Sequence, residues 1–245
     1  NLQEDMIKNK YILENKVDAN ANNTLRSVLI NFTSEFGLFI LIYVILISAS
    51  MVSEEYNKGT IKYLLTKPFK RSTILTSKLL TMIILLPLIL IMMLLIEFII
   101  GGIIFGFSSL SVPVLIYEAT STSLKVIPLM SYVGKMLLAS IPMYFVISIF
   151  SFMISTLTAS TSAACTLSFM FFLVGGVISN LALTHSYKIF KLFVSLHWDF
   201  SYLVSGASNP FQVSTLTSAL IVLIYIGLML CITYVYFSRK DVKNI

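Results

Sequence analysis

The chain has 245 residues, of which 57% are hydrophobic and only 11% charged, and its net charge is +6. A soluble domain is roughly 25% charged, so this composition excludes a globule covered by water-compatible surface. The positive balance gathers beside long apolar runs, which makes it a topology signal rather than a nucleic-acid patch. The two cysteines, Cys165 and Cys231, lie inside such runs, which argues against a disulfide framework or a cysteine metal site.

In chain order, residues 1–34 are polar, mixed in charge and rich in Asn, with neither the basic start nor the apolar stretch of a signal peptide. Within them, Met6, Ile7, Ile12, Leu13 and Val17 have a spacing compatible with an amphipathic helix on a membrane or a partner, or with a solvated helical loop. Five apolar stretches follow, at about Phe36–Val52, Leu79–Phe107, Met136–Leu157, Ala163–Leu183 and Leu216–Phe237. At 1.5 Å rise per residue each can cross a hydrocarbon core of roughly 30 Å, some with tilt. Lipid cannot satisfy backbone hydrogen bonds, so only helices or closed barrels cross. Continuous apolar runs without strict alternation exclude a barrel. The expected fold is an all-α integral membrane protein with five transmembrane helices in this chain.

The segment between the first two stretches carries Lys58, Lys62, Lys67, Lys70, Arg71 and Lys78, and the tail carries Arg239, Lys240 and Lys243. The positive-inside rule places both in the cytoplasm. Four crossings separate them, so the count of spans agrees with the charge signal. The loops near 110–131 and 184–214 then face outward. The same count puts residues 1–34 outside with no signal to carry them there. A preceding helix would do so, which predicts six helices in the full-length chain and makes 1–34 an extracytoplasmic loop. The 184–210 stretch is too apolar for a free loop and too interrupted to span, with His185, Lys188, Lys191, His197 and Asp199. Short re-entrant or interfacial helices before the last span fit it best, with Trp198 and Tyr202 at headgroup depth.

The most informative segment is the basic link, 53–78. Gly59 ends or bends the helix leaving the membrane, and Thr60 can cap a new short helix. Ile61, Leu64 and Leu65 then share one face, and Pro68 stops that helix. Ser72 or Thr73 can cap the next element. The result is a short amphipathic helix with a basic rim, suited either to a groove on a soluble partner or to anionic lipid.

The link resembles the signature of type-2 ABC exporter permeases: acidic residues before Gly-Thr, then Leu-Leu, Pro, a basic residue and a Lys at the next helix. Here these are Glu54 and Glu55, Gly59-Thr60, Leu64-Leu65, Pro68, Arg71 and Lys78, with Lys58 and Ile61 between them. The tail from Phe237 to Val242 and the Ser/Thr-rich passage from Phe150 to Thr161 are similar to the family too. The resemblance implies that residues 35–245 are a permease transmembrane domain. Its cytoplasmic coupling helix, about 57–67, would seat on an ABC ATPase subunit. It also implies a second permease (a homodimer or a related heterodimer), re-entrant helices before the last span, and ATP-driven export from a bacterial plasma membrane. No phosphate-loop motif is present, since Lys58-Gly59-Thr60 has the wrong order. The expectation is therefore a non-enzymatic chain with no cofactor of its own, ATP and Mg being bound by the partner.

Among other candidate residues, Glu97 is the only acidic residue well inside a span and so a functional suspect; snorkelling or pairing at the interface is the plain alternative. With Trp198 and Asp199 it is the candidate for a pathway or gate. Pro87 is expected to kink its helix. Gly101-Gly102 and Gly175-Gly176 are expected to admit close helix packing. His185, His197 and Asp199 lack metal-ligand spacing. Glu54-Glu55 matches part of the CAAX-type protease pattern, but Gly59 stands where that chemistry needs Arg, and no apolar stretch holds a His. Phe, Met, Ser and Thr along the spans suit amphipathic or hydrophobic cargo. Exporters of amphipathic peptides such as phenol-soluble modulins or lantibiotics are the leading expectation. Lipid, drug or ion export is the alternative, and a non-ABC polytopic protein (secondary transporter or immunity factor) is the other class.

Overall fold

A computed structural model describes residues 2–15, 24–60, 70–118, 123–185 and 188–239. Among the described residues five helices are long and apolar enough to cross a membrane: α4 (Gly37–Asn57), α5 (Arg71–Phe105), α6 (Leu129–Thr158), α7 (Thr161–Thr184) and α9 (Thr215–Arg239). Shorter helices are α1 (Leu2–Asn15), α2 (Leu25–Ile30), α3 (Phe32–Glu35) and α8 (Tyr202–Ser205). The protein is an all-α integral membrane protein, with one two-stranded hairpin among the described residues.

The apolar stretches mark these spans to within a few residues, except where helix outruns apolar sequence. α5 begins at Arg71, seven residues before Lys78, because Thr73 and Ile74 already donate to the Lys70 carbonyl. Ser72 and Thr73 are thus inside the first turn and do not cap it. Pro87 lies within α5 and Pro142 within α6, each removing one backbone donor from a helix that nevertheless continues. α6 gives way to α7 at Ala159, whose φ is 53°, and Ser160 caps α7 by accepting from the Ala163 N–H at 3.4 Å.

The chain divides into two compact units. One comprises Asn1–Leu38, Leu90–Ile141 and Asp199–Gln212. Its core joins Leu25 and Leu29 of α2 to Val114 and Ile116 of the hairpin and to Leu129, Tyr132 and Val133 of α6. Thr24 starts α2 with a reciprocal capping box: its hydroxyl accepts from the Ser27 N–H at 3.3 Å, and its own N–H donates to the Ser27 hydroxyl at 3.1 Å. The hairpin, β1 (Val114–Glu118) against β2 (Ser123–Ile127), occupies what the sequence suggests is plain outer loop. Val-Leu-Ile-Tyr and Leu-Lys-Val-Ile are good strand formers, bounded by Pro113 and Pro128, and alternation buries Val114 and Ile116.

The other unit comprises Phe39–Ile89, Pro142–Trp198 and Val213–Ile245. Its spans differ sharply in burial: 56% of the most apolar window of α6 is buried, against 11% of that of α7. α7 presents Leu167, Met170, Leu173, Val174 and Val177 outward, as a lipid-facing helix does. Short 3₁₀ turns at Lys188–Leu192 and Val194–Leu196 stand in the stretch before α9, where short interfacial helices are expected.

Candidate functional site

The basic link is described up to Thr60 and from Lys70 onward. Ile61, Leu64, Leu65 and Pro68, the centre of the expected coupling helix, lie outside the described residues. The flanks are ordered by their own chemistry. α4 carries Glu54 and Lys58 one turn apart, paired at 2.8 Å on an exposed face. Gly59 follows with φ of 69°, a left-handed conformation that glycine adopts without a Cβ penalty and that ends the helix. The Thr60 hydroxyl turns back to donate to the Glu55 carbonyl at 3.4 Å.

Across the link, Lys78 of α5 forms an ion pair with Glu55 of α4, and its ammonium also donates to the Met51 carbonyl at 2.6 Å. Both side chains are largely buried, at 15% and 23% exposure, so this pair is screened far less than a surface bridge. Beside it, the Arg71 guanidinium donates to the Ser238 carbonyl at 3.5 Å, and Thr76 shares a hydrogen bond of 2.7 Å with Tyr234. The Tyr236 hydroxyl donates to the Leu157 carbonyl at 3.1 Å. The ends of α4, α5, α6 and α9 are thereby tied together where the link departs. Of the residues singled out from sequence, Glu55 and Lys78 are thus brought together directly; Glu54 and Lys58 remain an exposed local pair.

Behind this end runs a seam of small hydroxyl residues between α4 and α6. Ser155 donates to the Ala49 carbonyl at 2.6 Å and accepts the Ser53 N–H at 3.0 Å. Ser151 donates to the Ile45 carbonyl at 3.2 Å, and Ser53 meets Thr161 at 2.7 Å. Small residues admit close helix approach, and hydroxyl-to-carbonyl bonds hold it in a medium without water. This gives the Ser/Thr-rich passage a structural role that composition alone leaves open.

The three pathway candidates have different surroundings. Trp198 is 5% exposed, packed edge-on to Phe171 at 5.9 Å and alongside Phe172 at 6.4 Å. Gly175 admits it: a Cβ there would lie 2.9 Å from the indole Cη2. The indole is thus an internal packing group of its unit rather than a side chain offered outward at headgroup depth. The other member of that glycine pair, Gly176, faces open space. Asp199 is exposed and accepts the Ser201 N–H at 2.9 Å, an Asx turn. His197, which lacks metal-ligand spacing in the sequence, is 1% exposed, and both ring nitrogens are engaged. Nε2 lies 2.8 Å from the Lys191 carbonyl, which can only accept, so Nε2 carries the proton and Nδ1 accepts from Ser218 at 3.0 Å.

Glu97 neither snorkels nor pairs. It is 3% exposed, and neither carboxylate oxygen has a hydrogen-bond partner among the described residues. It lines a cavity of about 710 Å³ with Ser27, Asn31 and Glu35, whose remaining wall is mainly apolar. Arg26, one residue before Ser27, does not serve it: its guanidinium donates to the Pro113 carbonyl at 3.0 Å, and burial pushes its pKa down from the ordinary value. Sequence could flag Glu97 by its isolation in an apolar run. It could not supply Ser27, Asn31 and Glu35, which come from a polar stretch some 60–70 residues earlier.

Five long apolar helices among the described residues, with apolar side chains turned outward along them, make this a multi-pass membrane protein. It belongs to the family described as "Protein of unknown function (DUF2705)", which matches residues 3–243. It is similar to the uncharacterized protein YhcI of Bacillus subtilis (strain 168), with 25% identity over 248 aligned positions, covering 99% of this chain and 77% of that relative. It is also similar to the uncharacterized membrane protein YdbK of the same organism, with 25% identity over 215 positions, 87% of this chain and 82% of the relative.

Proposed function

We propose that this chain is the membrane-spanning permease subunit of an ATP-driven ABC exporter in a bacterial plasma membrane, and that it moves amphipathic peptides outward. The observation that carries the proposal is the basic link. Its sequence resembles the docking segment of type-2 ABC exporter permeases, and its described flanks are held together by the buried Glu55–Lys78 pair. A segment that must receive force from a soluble motor needs an anchored base, and this pair supplies one.

In this mechanism the link lies in the cytoplasm, and its apolar face, Ile61, Leu64 and Leu65, seats in a groove of an ATPase subunit. ATP and Mg are bound by that partner, and this chain performs no chemistry. A second permease, identical or related, completes a pathway. Closure of two ATPase subunits on ATP moves the helices and changes access to it. An apolar, Met- and Phe-rich membrane domain accommodates varied amphipathic cargo.

The test is co-purification of the full-length chain with the ATPase encoded beside it. The expected result is a complex that hydrolyses ATP and that is lost in the Leu64→Asp/Leu65→Asp double variant, while the variant permease still elutes as a folded species. A complex that survives the double substitution, or a folded permease that binds no ATPase, overturns the proposal.

A further inference from the structure

The Glu97 cavity is not explained by docking to a motor. It is walled by residues of α2, α3, α5 and the short joints next to them. Its volume of about 710 Å³ falls in the range of roughly 300–1,000 Å³ typical of small-molecule sites. The wall is mainly aliphatic and aromatic, with Val28, Phe36, Ile100 and Ile104 among its residues. Two carboxylates, Glu35 and Glu97, lie on it, and among the described residues no Lys, Arg or His does.

Glu97 is the decisive group. A buried polar group without a partner costs several kcal/mol, and native structures rarely leave one. Here both oxygens of a carboxylate that is 3% exposed are unpartnered among the described residues. A bare metal ion could meet the oxygens of Glu35, Glu97, Ser27 and Asn31, but it would leave the aliphatic and aromatic part of the lining uncovered. A protonated amine needs only a few acceptors, and an apolar chain attached to it would fill the rest of the space. Phe36 adds an aromatic ring, to which a cation is attracted.

We infer that the Glu97 cavity is a binding site for an amphipathic organic cation, an ammonium group on an apolar body. The ammonium pairs with Glu97 and Glu35, and the apolar body lies along the aliphatic wall. The inference does not depend on the exporter mechanism, because binding needs no ATPase.

The experiment uses the full-length chain in lipid discs and radiolabelled decylammonium, with decanol as the uncharged probe of equal length and empty discs as background. Saturable binding of decylammonium is expected, with decanol at least about tenfold weaker, a difference of about 1.4 kcal/mol. Glu97→Gln, which keeps the shape and removes the charge, should lower decylammonium affinity about tenfold or more and leave decanol binding unchanged. Glu35→Gln should give a smaller loss. Ile104→Trp, which adds bulk to the lining and leaves both carboxylates, should weaken both probes, so the inference remains testable if Glu97→Gln misfolds. Equal binding of the two probes, unchanged affinity in Glu97→Gln, displacement by millimolar sodium, or no binding by the full-length chain would each overturn it.

Discussion

At the residue scale, three side chains carry measurable weight. Lys78 and Glu55 form a largely buried pair, so removing one partner leaves the other charge poorly solvated. Lys78→Met should destabilise by about 1–2 kcal/mol, less than a fully buried pair because both groups keep some water. Adding Glu55→Gln should recover part of the loss, which a double-mutant cycle of thermal unfolding measures. Ser155→Ala removes a hydroxyl that both donates to Ala49 and accepts from Ser53. An interhelical bond of this kind is worth about 0.6–2 kcal/mol, so a loss in that range is expected by the same assay. Gly175→Ala places a methyl group 2.9 Å from Trp198 and 3.0 Å from the Ser195 Cβ. Overpacking of this kind costs about 1–3 kcal/mol. Trp198 is the only tryptophan, so a red-shifted fluorescence spectrum would report its displacement directly. The sequence exposes the chemistry of such residues before their surroundings. Glu97 stands out as a charge in an apolar run, yet its burial depends on α2 and α3, whose proximity no local pattern announces. His197 is silent in sequence because its partners, Ser218 and the Lys191 carbonyl, are ordinary groups.

At the element scale, the spans are readable because lipid allows so few solutions: a run of roughly 20 apolar residues must be helical. Their ends are less so, since a helix continues as long as its backbone is satisfied, whatever the side chains prefer. α5 shows this by starting at Arg71 and running through Thr76 and Lys78 before its apolar part begins. The hairpin is the clearest omission. A two-stranded hairpin alone is marginal in water, and its two short runs carry little signal outside their setting. It persists because Val114 and Ile116 bury against Leu25, Leu29 and Tyr132. Ile116→Ala should therefore cost about 2–4 kcal/mol, as other deletions from a packed core do, and lower the unfolding temperature. An unchanged unfolding temperature would mean that the hairpin contributes nothing to that core.

At the scale of the whole molecule, charge asymmetry between loops predicts orientation. With Cys165 and Cys231 replaced by Ala, Ser208→Cys should react with a membrane-impermeant maleimide in intact cells. Lys58→Cys should react only after permeabilisation. The opposite pattern would invert the topology and remove the link from reach of a cytoplasmic ATPase. This expectation rests on counts of Lys and Arg near span ends, which need no tertiary information. The cavity around Glu97 is not readable in that way, because it arises from residues that meet only when distant segments fold together.

The Glu55–Lys78 pair has one further consequence, a mechanical one. The link leaves α4 after Asn57 and re-enters at α5, so a pull on it would ordinarily strain the two helices separately. With Lys78 fastened to both Glu55 and the Met51 carbonyl, the two helix ends act as a single rigid yoke. Tension applied anywhere along the link reaches both helices with the same sign. Prying them apart requires rupturing an ion pair shielded from solvent, and moving them together works instead against the hydroxyl seam to α6 and the contacts to α9.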